Sequence, residues 1–164
     1  MELFKKPMFR VPLVLGISGI VCRLLTYLCS FISVRIQMAK GPDPVTGAYS
    51  LSTGYTTEIV SVIAFLLFWA AGWKFVRGLT RKQIFLSATI MVIWLGILLA
   101  WEQLSQASGG YSIWVYRLYA TQEAVSWATQ LLVRVFDEVS VPVVLPSIFT
   151  PYLYLLLGKK NAVS

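Results

Sequence analysis

The first apolar run, residues 11–34, is long enough to cross a bilayer, yet it carries an arginine near its middle. Arg23 is one of seven small or polar positions, Gly16, Gly19, Arg23, Thr26, Ser30, Ser33 and Gln37, spaced alternately three and four residues apart. That spacing draws one stripe along one face of a helix. A charge at the centre of a span costs about 2.5–3.5 kcal/mol on insertion scales. The stripe therefore has to face protein or water, and the rest of the helix faces lipid.

The remaining composition agrees with a membrane setting. Of 164 residues, 57% are hydrophobic and 13% charged, against roughly half and a quarter in soluble domains. Lipid admits only helices or closed barrels. The apolar runs are long and do not alternate, so helices are expected. The net charge of +7 comes from clumps at the ends of apolar runs: Lys5, Lys6 and Arg10; Lys74, Arg77, Arg81 and Lys82; Lys159 and Lys160. Such placement marks cytoplasmic loops and tails, and not a nucleic-acid-binding face. Histidine is absent, which removes the commonest zinc and haem ligand and most general-base chemistry. Cys22 and Cys29 stand seven residues apart, about 10 Å along one helix and beyond disulfide reach. Neither a metal nor a cofactor is expected.

The chain is expected to fold as a single all-α membrane domain, 1–164. Spans are placed at about 11–34, 58–76, 82–101 and 139–157, with a polar external loop over about 38–57. In that loop Asp43-Pro44-Val45-Thr46-Gly47 is suited to a turn. Pro12 falls in the first turn of the first span, where a missing N–H does no harm. Trp69, Trp73, Lys74 and Arg77 give the second span an interfacial flank. The second and third spans are expected to form an antiparallel hairpin through a short basic turn, and a further turn over 105–112, without basic residues, lies on the other side. Pro142, Pro146 and Pro151 should kink the last span. The run after Arg10 is too long for a signal-peptide core and is read as a retained span.

Between the third and last spans, about 112–137 reads as an amphipathic helix. At 100° per residue, Gln122, Glu123, Ser126, Thr129, Gln130, Arg134 and Asp137 gather on one side. Leu118, Ala124, Val125, Ala128, Leu131, Leu132, Val135 and Phe136 gather on the other. Two arrangements follow. If this helix lies flat in the outer interface, the protein is an antiparallel bundle of four transmembrane helices plus one amphipathic helix, with both termini cytoplasmic. Nine Lys and Arg residues are then inside and four, Arg35, Lys40, Arg117 and Arg134, outside. The alternative is five transmembrane helices, with eight inside and five outside. Charge favours four. Only the five-helix arrangement, on this reading, brings an acid, Glu123, to the depth of Arg23.

Candidate functional residues fall in two groups. Arg23, Thr26 and Ser30, with Glu123 as counter-charge, form either a helix-packing seam or a polar cavity for a solute. Arg35, Glu58 and Glu102 are expected to form a charge cluster at the outer helix ends. Trp114, Tyr116 and Tyr119 read as interfacial belt residues, and Asp137-Glu138 as a solvated corner. No serine elbow, phosphate-cradling loop or aspartate pair is present, so the protein is not expected to be an enzyme. It is expected to be a small polytopic integral membrane protein, a non-enzymatic subunit or interaction module that meets another membrane subunit or itself. The alternative is a small transporter or solute-binding protein with an Arg23-centred cavity. The expected setting is a bacterial cytoplasmic membrane, with the N-terminus cytoplasmic.

Overall fold

A computed structural model describes residues 6–42, 47, 54–110, 113–137 and 140–159, without the side chains of 54–57, 115, 116, 119, 120 and 122. Among these residues every named element is helical. A 3-10 turn, Pro7–Phe9, leads into α1 (Arg10–Ala39), followed by α2 (Gly54–Phe75) and α3 (Arg81–Ala107). Then come α4 (Ile113–Leu118), a 3-10 segment (Tyr119–Val125), α5 (Ser126–Phe136), α6 (Val141–Val144) and a C-terminal 3-10 helix (Leu145–Leu157). Three helices, Pro7–Ala39, Glu58–Phe75 and Arg81–Ala107, are long and apolar enough to cross a membrane. The expected turn at 43–47 lies, but for Gly47, outside the described residues.

Local chemistry sets the helix ends. Thr80 and Gln83 form a capping box at the start of α3: the Gln83 N–H donates to Thr80 Oγ1 at 3.3 Å, and the Thr80 N–H to Gln83 Oε1 at 3.1 Å. Past the other end, Gly109 takes a left-handed φ of +74° and the Gly110 N–H donates to the Ser105 carbonyl at 3.1 Å. In the first turn of α1 the Val11 N–H, which has no partner within its own helix, donates to Ser87 Oγ of α3 at 3.0 Å. Leu24, Phe31, Leu66, Ile93, Ile97 and Leu104 are exposed along the three long helices, an outward apolar surface suited to lipid.

The hairpin expected of α2 and α3 is splayed. Beyond their connecting turn the two helices barely touch, and the C-terminal 3-10 helix fills the space between them. Tyr154 stacks on Phe68 of α2 with ring centroids 4.4 Å apart, and its hydroxyl donates to the Phe68 carbonyl at 2.8 Å. Gly72 makes that approach possible, since a Cβ there would overlap the Tyr154 ring. On the other side Tyr152 stacks on Phe85 of α3 at 5.4 Å and shares a 2.9 Å hydrogen bond with Thr89.

Three prolines account for the unusual last helix. A proline at 151 cannot donate to the carbonyl four residues back and clashes with it in α geometry. Here Thr150 Oγ1 donates to that carbonyl, on Ser147, and Ser147 Oγ donates to Val144 in the same way. The backbone tightens to 3-10 for 13 residues, far beyond the usual three or four. At about 2.0 Å per residue such a helix is longer than an α-helix of equal count, so 141–157 spans about 32 Å. The prolines therefore lengthen this segment.

The contacts fix which ends lie together. Lys159 and the α2–α3 turn are tied by backbone hydrogen bonds, Arg81 N–H to the Lys159 carbonyl at 3.2 Å and Lys159 N–H to the Leu79 carbonyl at 3.1 Å. The start of α1 lies against the first turns of α3. Lys6, Arg10, Lys74, Arg77, Arg81, Lys82 and Lys159 thus gather at one end of the bundle. At the opposite end, Glu58 near the start of α2 meets Arg134 near the end of α5.

The amphipathic helix expected over 112–137 is a broken one. Residues 119–125 turn as a 3-10 segment, at 120° per residue in place of 100°. Over this stretch the helix face rotates by about 140° relative to an unbroken α-helix. The two expected faces are accordingly divided differently. Ala124, Val125 and Ala128 are buried, whereas Leu131, Val135 and Phe136 from the same expected face are exposed.

Candidate functional site

Arg23 stands midway along α1, on the stripe read from the sequence. No stripe position is exposed: Gly19 is buried, and Gly16, Arg23, Thr26, Ser30, Ser33 and Gln37 are half-buried. The Arg23 guanidinium meets Glu123 Oε2 through Nη1 at 3.3 Å, with the two side chains 18% and 17% exposed. Its Nε–H donates to the Tyr27 hydroxyl at 3.3 Å, and its Cζ lies 5.3 Å from the Tyr27 ring centroid. The charge is therefore held by a carboxylate and by the face of an aromatic ring one helical turn further along.

Glu123 reaches this depth because the 3-10 segment packs closely along α1. The chain on either side of it is anchored at helix midpoints too. Trp94, midway along α3, donates its indole N–H to Thr121 Oγ1 at 3.1 Å, while Thr121 Oγ1 donates to the Leu118 carbonyl at 2.7 Å. Trp127 packs edge-on against Phe65 and Phe68, midway along α2, at 5.1 and 5.7 Å. Thr129 Oγ1 donates to Ser147 Oγ at 2.8 Å. From there α5 climbs beside α2, so that Arg134 Nη2 meets Glu58 Oε1 at 2.6 Å. The stretch 113–136 enters from the end of the bundle where α3 finishes, reaches its middle, and leaves by the same end.

The remaining candidates are placed less closely together. Thr26 Oγ1 donates to the Cys22 carbonyl of its own helix at 2.9 Å, a local bond that satisfies the hydroxyl on the stripe. Ser30 is half-buried on the same face. The outer cluster of Arg35, Glu58 and Glu102 takes a different form. Glu58 pairs with Arg134, the Arg35 guanidinium lies over the Phe31 ring at 5.2 Å, and Glu102 accepts from Gln106 at 3.5 Å. The splaying of α2 from α3 is the reason, because it parts the two helix ends expected to bring both acids together. Cys22 is buried and Cys29 half-buried, both free thiols. Among the described residues no group of three His, Cys, Asp or Glu side chains could hold a metal.

Of the expected belt, Trp114 is exposed with the Arg117 guanidinium over its ring at 5.2 Å, and Tyr116 and Tyr119 fall outside the described side chains. Trp73 carries Arg77 over its ring at 4.1 Å, as an interfacial flank should, whereas Trp69 turns inward against Phe65 and Phe68. Sequence reasoning overlooked Trp94 and Thr121. Their signal was faint: one indole N–H at the centre of an apolar run, which needs an acceptor at its own depth.

The chain matches no known family model, no curated protein and no solved structure.

Proposed function

We propose that this chain is a non-enzymatic integral membrane protein that serves as a subunit or interaction module of a larger membrane complex. The observation that carries this reading is the contrast between the two halves of α1. Val11, Val14, Leu15, Ser18, Gly19 and Cys22 are buried, but none of its residues after Cys22 is. Ser30, Ser33 and Gln37 continue the stripe there, half-covered. Small and hydroxyl-bearing residues at this spacing let a second membrane helix approach closely. Arg23 is engaged by Glu123 and Tyr27, which favours the seam over a solute cavity. Extraction in several mild detergents should recover the protein with a partner subunit or as an oligomer. A lone monomer in all of them contradicts the proposal.

The topology that accompanies this role has four crossings and one re-entrant hairpin, with the basic end cytoplasmic. It joins the two arrangements read from the sequence: both termini lie on one side, and Glu123 still reaches the depth of Arg23. The descending arm, 113–125, is about 23 Å long and α5 about 16 Å, each short of the ~30 Å hydrocarbon core. The last helix, at about 32 Å, is long enough to cross. Backbone that departs from α geometry is tolerated at depth where protein surrounds it, and Ala124 and Val125 of the 3-10 segment are buried. In a background without Cys22 and Cys29, a cysteine at 137 should be labelled from outside and one at 159 from inside. The reverse pattern would require five crossings.

A further inference from the structure

Between α2 and α5, near the end of the bundle opposite the basic clusters, lies an open groove of about 380 Å³. We propose that it binds the headgroup and upper chain region of a zwitterionic phospholipid, with phosphatidylethanolamine as the fitting chemistry. The inference rests on the chain's embedding in a membrane and not on the docking role of α1.

The groove changes character with depth. Its mouth is the Glu58–Arg134 pair, with side chains 55% and 61% exposed. Its deeper wall is Phe65 and Trp127, and Phe65 lies about 10 Å further along α2 than Glu58. Val62 and Leu131, both exposed, form apolar sides open to the bilayer. A headgroup at the mouth therefore has its chains beside apolar residues, and the volume suits the head and glycerol region, leaving the chains in lipid.

Charge selects among headgroups. Arg134 uses one guanidinium nitrogen on Glu58 and has further donors for a phosphate. Glu58 has a second carboxylate oxygen for an ammonium group. A phosphate bearing an ammonium arm is complementary to both, whereas an anionic headgroup engages Arg134 alone and brings a net negative charge beside Glu58.

The test uses the full chain in maltoside micelles, with thermal unfolding as the readout. Dihexanoyl phosphatidylethanolamine should raise the midpoint, and dihexanoyl phosphatidylglycerol should raise it clearly less. Arg134→Gln should weaken the apparent affinity about tenfold by removing the phosphate contact. Val62→Trp, at an exposed wall position, should do the same by filling the groove. No shift with phosphatidylethanolamine, an equal shift with phosphatidylglycerol, or a shift that survives both substitutions would each overturn the site. Phosphoethanolamine without chains should have no effect at the same concentration; an equal effect would make this a site for a free headgroup and overturn the lipid proposal.

Discussion

An arginine cannot lose its charge inside a membrane helix, so the side chains around Arg23 are arranged to neutralise it. Glu123 and Tyr27 do this from two directions. Tyr154 shows the neutral counterpart of the same constraint: its hydroxyl is buried, and it donates to the Phe68 carbonyl beneath its stacked ring. Tyr154→Phe should keep the stack and lose about 1 kcal/mol of stability, read as a lowered midpoint of thermal unfolding in detergent. Gly72→Ala should be worse, by about 1–3 kcal/mol, because the added methyl has to push the Tyr154 ring away from Phe68. An unchanged midpoint for Gly72→Ala would mean that the last helix does not sit between α2 and α3. The Arg23 stripe was legible in the sequence because α geometry holds along the whole of α1. The role of Gly72 was not, because it depends on a ring 82 positions away in the chain.

At the scale of elements, regular helices were readable and tightened ones were not. The three long helices follow from apolar length alone, although α1 continues to Ala39 and α3 to Ala107, past their expected ends near 34 and 101. Polar residues such as Gln37, Glu102 and Gln106 are tolerated in those last turns. Residues 112–137 were misread as a continuous wheel because seven residues of 3-10 helix rotate its phase. Its polar residues consequently form separate contacts, Glu123 to α1, Thr129 to the last helix and Arg134 to α2. A helix lying flat in the interface holds its exposed apolar residues at one depth; a climbing α5 does not. Depth-dependent quenching of labels at Leu131 and Val135 should therefore differ by about 6 Å. Equal depths would return α5 to the interface.

For the whole molecule, the proposed topology joins an even number of crossings to a charged contact at mid-depth by sending one segment in and out from the same end. Charge counting alone favoured four helices, and the need of Arg23 for an acid favoured five. A re-entrant hairpin meets both demands, and no sequence pattern announces it, since each arm is too short and too polar to resemble a span. The central claim is that Glu123 is carried to Arg23 inside the membrane. Charge exchange tests it most directly, with thermal unfolding of Arg23→Glu, Glu123→Arg and the double variant measured in the same detergent. Each single variant should lose about 3 kcal/mol by leaving two like charges together at depth, and the double variant should recover most of that loss. A double variant no more stable than either single one, with Glu123→Ala matching the unsubstituted protein, would contradict it.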